Sequence, residues 1–428
     1  MSTQANTSAE RQGHVTVVGA GIVGACCAAS LQREGYAVTV VDRVDPGMAT
    51  SFGNAGSISP SAVLPVAMPG MLRKIPGWLI DPLGPLTVRW SYLPSITPWL
   101  MRFLSHASRE EVARVATAMR ALMEPVFEDY ERLLPQGEFR ALIRRNGCLY
   151  VYENQAELDA AKWTLDLRRN LGAAMDEIGE DEIRQLEPAL ARRFRLGIFA
   201  PDNGSTVDPS LLVNAVMAQV LANGGKFVRA EVKDIEMGPD GPTALLTDQG
   251  RKPLDRLVLA AGAWSAGLAR KLGAVVPLET QRGYHVTFPQ AGIEVNRTVM
   301  WNKRSVFVNP MRPGLRIAGT VELAGLKAKP NYARADRLAD IAGELFPDLD
   351  RSNPSRWMGH RPCLPDSLPV IDRSPRYPGV VFAFGHQHVG MCSGASTGRL
   401  VADLVVGRPS SIDRSPFSVQ RFAKRLAA

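Results

Sequence analysis

The sequence predicts an α/β protein of two interleaved domains. One is a parallel sheet wrapped by helices and assembled from separated stretches of chain. The other is an α+β unit on an antiparallel sheet. Three observations predict this. The chain opens with a strand, a glycine turn, a helix and a second strand, from Val15 to Asp42. Its middle mixes short apolar strands with helices. Near its end a buried strand, Val380 to Phe384, runs through Gly385 and a glycine-rich stretch into a helix over 395–406, so the last elements repeat the layout of the first.

Composition narrows the function classes. A chain of 428 residues is long enough for two packed domains. With 45% hydrophobic and 21% charged residues it can bury a large core and does not read as disordered. The net charge of +8 suits anionic lipid, nucleic acid or acidic small molecules. No long Lys/Arg run and no nucleic-acid motif is present, which argues against nucleic acid as a partner. The cysteines Cys26, Cys27, Cys148, Cys363 and Cys392 form no C-x-x-C pair and no metal-ligand grouping, so reduced structural thiols and no metal are expected. Met1 to Gly13 is polar and reads as a flexible tail rather than a signal or anchor. No apolar run reaches the roughly 18 residues of a membrane span. A cytoplasmic protein is expected, peripheral to a membrane at most.

The opening run carries the most specific signal. Val15-Thr-Val-Val is followed by Gly19-Ala20-Gly21-Ile22-Val23-Gly24, and Val38-Thr-Val-Val ends at Asp42. In a Rossmann-type unit the three glycines have separate jobs: the tight turn, close approach to a pyrophosphate, and helix–strand packing. The helix start presents free N–H groups to the phosphates. Asp42 follows Gly19 by 23 positions, near the spacing of a ribose-binding acid. A carboxylate there repels a 2′-phosphate, so FAD or NAD is expected over NADP. The motif does not choose between them.

The remaining elements follow in order. Thr50 to Ser59 is a run of small and polar residues that reads as a loop approaching a cofactor ring, with Ser51, Asn54, Ala55 and Gly56 as contacts. Residues 61–107 mix prolines with Trp78, Trp90, Trp99 and Phe103, and with Arg73, Lys74, Arg89 and Arg102. This insert is either a lid or a membrane-interface segment. Ser108 and Glu111 form a capping box for a helix with apolar positions from Val112 to Leu133, kinked at Pro125. Asn154 with Glu157 starts another helix, and Asp208-Pro209 starts one that stops at Gly224-Gly225. Lys226 to Met237 alternates like one strand. Leu254 to Ala260 is a strand that runs into Ala261-Gly262-Ala263-Trp264, and Tyr284 to Phe288, Val306 to Val308 and Leu315 to Ala318 are further short strands. The expected boundaries are 14–60, 205–275 and 355–428 for the nucleotide domain, with 61–204 and 276–354 for the second.

Four motifs in this order carry a resemblance: the N-terminal fingerprint, Leu259-Ala-Ala-Gly-Ala-Trp-Ser265, Gly359-His-Arg-Pro362 with Asp366-Ser-Leu-Pro369, and Phe384-Gly-His-Gln-His-Val-Gly390. With them the chain resembles the FAD-dependent D-amino-acid oxidase and glycine oxidase superfamily over nearly its whole length. The Ser51 to Gly56 loop and the long insert look most like bacterial D-amino-acid dehydrogenases. The resemblance implies non-covalent FAD and hydride transfer from an amino-acid Cα to the flavin N5. It also implies electrons passing to a quinone or carrier. D-proline or a D-hydroxyproline is a plausible substrate. A glycine/sarcosine-type oxidase that uses oxygen, or an NAD-dependent dehydrogenase, is the alternative.

The resemblance assigns residues as well. Arg361 lies in the pattern of the carboxylate-binding arginine, and a guanidinium grips a carboxylate with two parallel bonds. Tyr284 and His285 are strand neighbours, so one faces the pocket and the other does not. Tyr284 is either a second carboxylate donor or a packed core tyrosine. His386 and His388 share a face if their segment is extended. His388 is expected at the substrate amine or flavin edge, and His386 at a backbone group. The expected flavin contacts also include Arg43, Val232 beside the adenine, Ala261, Gly262, Trp264, Gly385, Val389, Gly390 and Met391. The helix after Gly390 to Gly394 is expected to aim its dipole at the reduced flavin.

Overall fold

The computed structural model describes residues 12–81 and 83–425, so the expected tail lies outside the described residues except for Gln12 and Gly13. Among these residues the chain forms a six-stranded and a nine-stranded sheet, flanked by two three-stranded ones.

The six-stranded sheet runs in space Lys226–Arg229, Ala37–Asp42, His14–Val18, Arg256–Leu259, Val380–Phe384, Val370–Arg373. All but the last strand are parallel. Its middle strands are apolar on both faces because both are covered. Helices Ile22–Arg33, Pro209–Ala222 and Gly390–Val406 cover one face. The sheet Val232–Gly238, Gly241–Thr247, Gly250–Pro253 and helix Ser265–Lys271 cover the other. The first and last helices cross closely: a Cβ at Gly398 would lie 2.5 Å from the Cys26 carbonyl oxygen. That contact explains the small residues of both helices. All five cysteines are buried and free.

Three local expectations change. Lys226 to Met237 is two strands in different sheets: Lys226–Arg229 pairs along Ala37–Asp42, and Val232–Gly238 pairs along Gly241–Thr247. The helix after Ser108 is broken rather than kinked at Pro125, giving Arg109–Met123 and Val126–Leu133. The last helix starts at Gly390, so the glycine-rich stretch is its own first turn.

Packing also crosses the expected boundaries. Val115, Met119, Leu122, Phe127 and Tyr130 share one core with Val17, Cys27 and Val401. These helices therefore sit on the nucleotide domain, and Arg399 pairs with the buried Asp129 at 3.0 Å across that contact. Conversely Ser355–Cys363 pairs along Glu279–Phe288 in the nine-stranded sheet.

The nine-stranded sheet continues through Gly314–Leu323, Val306–Met311, Thr298–Trp301, Cys148–Tyr152, Leu196–Ala200 and Asp176–Ile178, with Leu86–Val88 beside Gly314–Leu323. It is mostly antiparallel, as expected, but two pairings are parallel. Helix Ala333–Leu345 covers one face over Val286, Phe288, Val299 and Trp301. The register puts Trp357, His285, Ala318, Phe307 and Met300 in one row on the opposite face. Within the insert, Trp99 and Phe103 stack at 5.1 Å in a small core with Leu86, Val88 and Leu323.

Candidate active site

A cavity of about 480 Å³ opens at the carboxyl ends of the parallel strands, where open α/β sheets bind ligands. The glycine turn shapes its floor. Gly19 has φ +114°, and a Cβ there would lie 2.3 Å from the Ala260 carbonyl oxygen. A Cβ on Gly24 would lie 1.9 Å from the Gly19 carbonyl oxygen. Gly21 meets only the Ser51 hydroxyl, at 3.3 Å, and faces the cavity. The first helix has no side-chain cap, and the Ile22 N–H donates to Ser51 Oγ at 3.0 Å.

The acid and its neighbours line the far end. Asp42 Oδ2 accepts the Ala20 N–H at 2.7 Å, and Oδ1 accepts that of Val44 at 3.3 Å. Arg43 lies 4.0 Å above the Trp264 ring, whose edge meets His360. Ile22, Val23, Val232, Ala261 and Gly262 line the same space, as do Gly385, His386, Gly390 and Met391 from the last strand and helix. Ala20, Gly24 and Gly56 lie off the cavity wall. Ala55, His388 and Val389 belong to the neighbouring cavity instead.

That second cavity, about 930 Å³, lies between the nine-stranded sheet and the insert, and the two share Thr50, Asn54 and Gln387. Arg361 enters it over Gly283, where a Cβ would lie 2.3 Å from the guanidinium carbon. Among the described residues the Arg361 side chain bonds only the Thr320 carbonyl, through Nη1 at 2.9 Å. Thr320 holds a left-handed φ of +60° beside a β-bulge, the strain that aims this carbonyl. Burial lowers the arginine's pKa from its usual value, yet among the described residues no carboxylate bonds it. A guanidinium with free donors in such a place is poised for an anion.

The histidines diverge. Gln387 has φ +49° and turns the chain between them, so the extended geometry does not hold. His386 Nε2 meets Thr397 Oγ1 at 3.0 Å, a side-chain partner in place of the expected backbone group. The His388 ring is open to the second cavity, though protein surrounds the site. Burial and then the Arg361 charge bring His388 down to about 4, so it is neutral near pH 7.

Tyr284 resolves the other way from a carboxylate donor. It borders the second cavity, but its ring belongs to the core beneath helix Ala333–Leu345. Its hydroxyl donates to Glu322 Oε2 at 2.5 Å and accepts the Asn331 N–H at 3.0 Å. Burial, then the Glu322 hydrogen bond, raises it to about 12. The hydroxyl is thus committed, and a structural role replaces the catalytic one. Its neighbour His285 takes the cavity side, stacked on Trp357 at 5.1 Å. The sequence reading gave no site role to Gly283, Trp357 or Thr320. An isolated glycine inside a strand marks close approach of another group, and Gly283 directly before Tyr284 carried that signal.

Comparison with known proteins decides the family. Residues 14–404 match the family described as DAO, FAD dependent oxidoreductase. The chain belongs to that family. It is 40% identical to a D-amino-acid oxidase of Bradyrhizobium diazoefficiens, over 96% of this chain and 99% of that one. It is 33% identical to a D-amino acid dehydrogenase of Paramagnetospirillum magneticum, over 96% and 99%. Among solved structures, L-proline dehydrogenase from P. horikoshii superposes with a TM-score of 0.74 at 18% identity, covering 97% of this chain and 99% of that one. Glycine oxidase from Geobacillus kaustophilus gives 0.70 at 22%, covering 95% and 98%. These two likenesses are of fold. The protein is accordingly a FAD-dependent amino acid oxidoreductase, and FAD replaces the NAD alternative. The first cavity fits that cofactor: Gly21 leaves room for a pyrophosphate at a helix start, and Asp42 stands at a strand tip for a ribose.

Proposed function

We propose that this enzyme oxidatively deaminates a D-amino acid, and the observation that carries the reading is Arg361. Its guanidinium borders the second cavity, and among the described residues one carbonyl is its only hydrogen-bond partner. It would grip the substrate carboxylate with its remaining donors. FAD, when bound, supplies the hydride acceptor. His388 stays neutral beside the same arginine, ready to accept a hydrogen bond from the substrate amine. Ala318, Phe307 and Met300 continue the sheet face away from Arg361, with Met68 and Met71 also lining the cavity. These surfaces favour a neutral substrate side chain. A cyclic amine such as D-proline or a D-hydroxyproline suits the same chemistry. In this reading the flavin is held without a covalent bond, and all five cysteines are buried and free.

The test is anaerobic. D-amino acids should bleach the yellow holoenzyme and L-amino acids should not. Arg361→Leu should keep its flavin and slow bleaching at subsaturating substrate about 100- to 1,000-fold, the size of losing one partner of a buried charged pair. Bleaching by L-amino acids alone, or an unchanged rate in Arg361→Leu, refutes the reading.

The electron acceptor in this reading is a quinone or carrier met at a membrane surface. Ile80, Leu83, Trp90, Met101, Leu326 and Tyr332 are large exposed apolar side chains on two neighbouring segments, 80–101 and 326–332. Arg89 joins these segments by donating to the Lys329 carbonyl. Arg102, Lys327 and Lys329 lie in or beside them. The side chains of Lys74 and Trp78 lie outside the described structure, while Trp99 and Phe103 are core. Among the described residues no helix is long and apolar enough to cross a membrane. Co-sedimentation with vesicles containing phosphatidylglycerol should be lost in a Trp90→Ser, Met101→Ser enzyme. Equal sedimentation of both proteins leaves the insert a lid.

A further inference from the structure

The loop where the two cavities meet is held by its backbone carbonyls. Arg316 Nη1 donates to the Phe52 carbonyl at 2.9 Å and to the Asn54 carbonyl at 2.8 Å. His285 Nδ1 donates to Gly53 O at 3.1 Å, and Asn309 Nδ2 to Ala55 O at 3.1 Å. Four successive carbonyls are thus taken by side chains of the nine-stranded sheet. On its other side the loop reaches the nucleotide domain. Ser51 Oγ receives the Ile22 N–H, and Asn54 Nδ2 donates to the His388 carbonyl at 3.3 Å. Thr50 and Asn54 line both cavities.

Arg316 is the costly member of this set. It is 3% exposed, and its Nε bonds Thr287 Oγ1 at 3.3 Å. Among the described residues none of its hydrogen-bond partners is a carboxylate. The nearest opposing influence is the more distant Asp208. Burying an unpaired charge is expensive, and a neutral amide could hold a carbonyl at less cost. The planar guanidinium sets Nη1 between two alternate carbonyls, anchors Nε on Thr287, and leaves a full positive charge beneath the loop.

We propose that Arg316 is a positioning residue for hydride transfer. By bracketing the carbonyls of Phe52 and Asn54 it sets the curvature that turns Thr50 and Asn54 toward the junction of the cavities. Its charge, uncompensated by a contacting carboxylate, favours the electron-rich reduced flavin. This rests on the reading that the flavin ring lies at that junction, against the 50–56 loop.

The test compares Arg316→Lys, which keeps the charge, with Arg316→Met and Arg316→Gln, which remove it. All are measured as purified holoenzyme. In the neutral variants kcat should fall at least about tenfold, as for a small misplacement of reacting groups. KM for the amino acid should move less than about threefold, since Arg361 is untouched. The flavin midpoint potential should drop in the neutral variants and stay near the wild-type value in Arg316→Lys, where kcat remains low because the bracket is lost. Wild-type kcat in either neutral variant, or equal potentials in Arg316→Lys and Arg316→Gln, overturns the proposal. If Arg316→Met does not fold, the Gln and Lys pair still decides it. Asn54→Ala separates the proposal from its premise. An unchanged flavin spectrum there overturns the placement of the ring. A shifted spectrum with wild-type Arg316 variants overturns the role of Arg316 alone.

Discussion

The two cavities meet at one loop but are built by different means. The first is made of backbone: a glycine turn, a helix start and the tips of parallel strands. Charged side chains such as Arg43, Lys233, Asp234 and Lys271 stand around that backbone frame, and the Asp42 carboxylate is itself tied to backbone N–H groups. The second is made of side chains held by other side chains or by strained carbonyls: Arg361 on Thr320, His285 on Trp357, Arg316 under the loop. Backbone can grip a phosphate with any sequence that leaves room for it. A site built of buried charges and neutral imidazoles depends on staying desolvated and correctly protonated. The difference separates a generic cofactor grip from a specific reaction chamber.

Acid should break both cavities, through His285 behind the second and His386 on the wall of the first, and this is the largest effect expected. Burial, then the Arg316 charge, lowers His285 to about 3. Burial lowers His360 to about 4 and His386 to about 3. An unfolded histidine titrates near 6.5. Between these limits the unfolded chain binds protons that the native state refuses, so stability falls as pH falls from about 6.5 toward the depressed native values. Each fully buried histidine, His285 and His386, contributes a slope of about 1.4 kcal/mol per pH unit in that window. Urea midpoints measured from pH 7 to pH 4 should trace this loss. A His285→Gln protein, whose amide can still donate to the Gly53 carbonyl, should show a shallower slope. A flat profile in the parent would contradict neutral burial.

The same contrast explains what was legible in the sequence. The glycine turn, Asp42 and the strand into Gly385 were readable because backbone sites leave local patterns of small residues at fixed spacing. Arg361 was readable only through its Gly-His-Arg-Pro setting, which carried the resemblance. The fates of Tyr284 and His285 were not readable. Strand alternation says that they face opposite ways, but only the helix packed over Tyr284 and the position of Glu322 say which way. The divergence of His386 and His388 depends on a left-handed Gln387, a residue type with no local signal for that conformation. Helices 109–142 were drawn to the wrong neighbour because amphipathic spacing shows that a face is buried, not against what. Arg316 gave no signal, since the loop carbonyls it holds are more than 250 positions away in sequence.

The smallest effects should separate the glycines of the first cavity from one another. Gly24→Ala drives a Cβ to 1.9 Å from a backbone oxygen that cannot move without the turn. The helix must shift, at a cost of about 1–3 kcal/mol, and the apoprotein should lose thermal stability along with flavin affinity. Gly21→Ala meets only the Ser51 hydroxyl at 3.3 Å, on the side open to the cavity. Its apoprotein should melt like the parent, while FAD binds more weakly by about tenfold, equivalent to roughly 1.4 kcal/mol, because the new methyl occupies the approach of the pyrophosphate. Apoprotein melting and flavin-fluorescence titration distinguish the two. Equal destabilisation of both apoproteins would mean that Gly21 also serves packing, and the first cavity would then depend on interior fit as the second does.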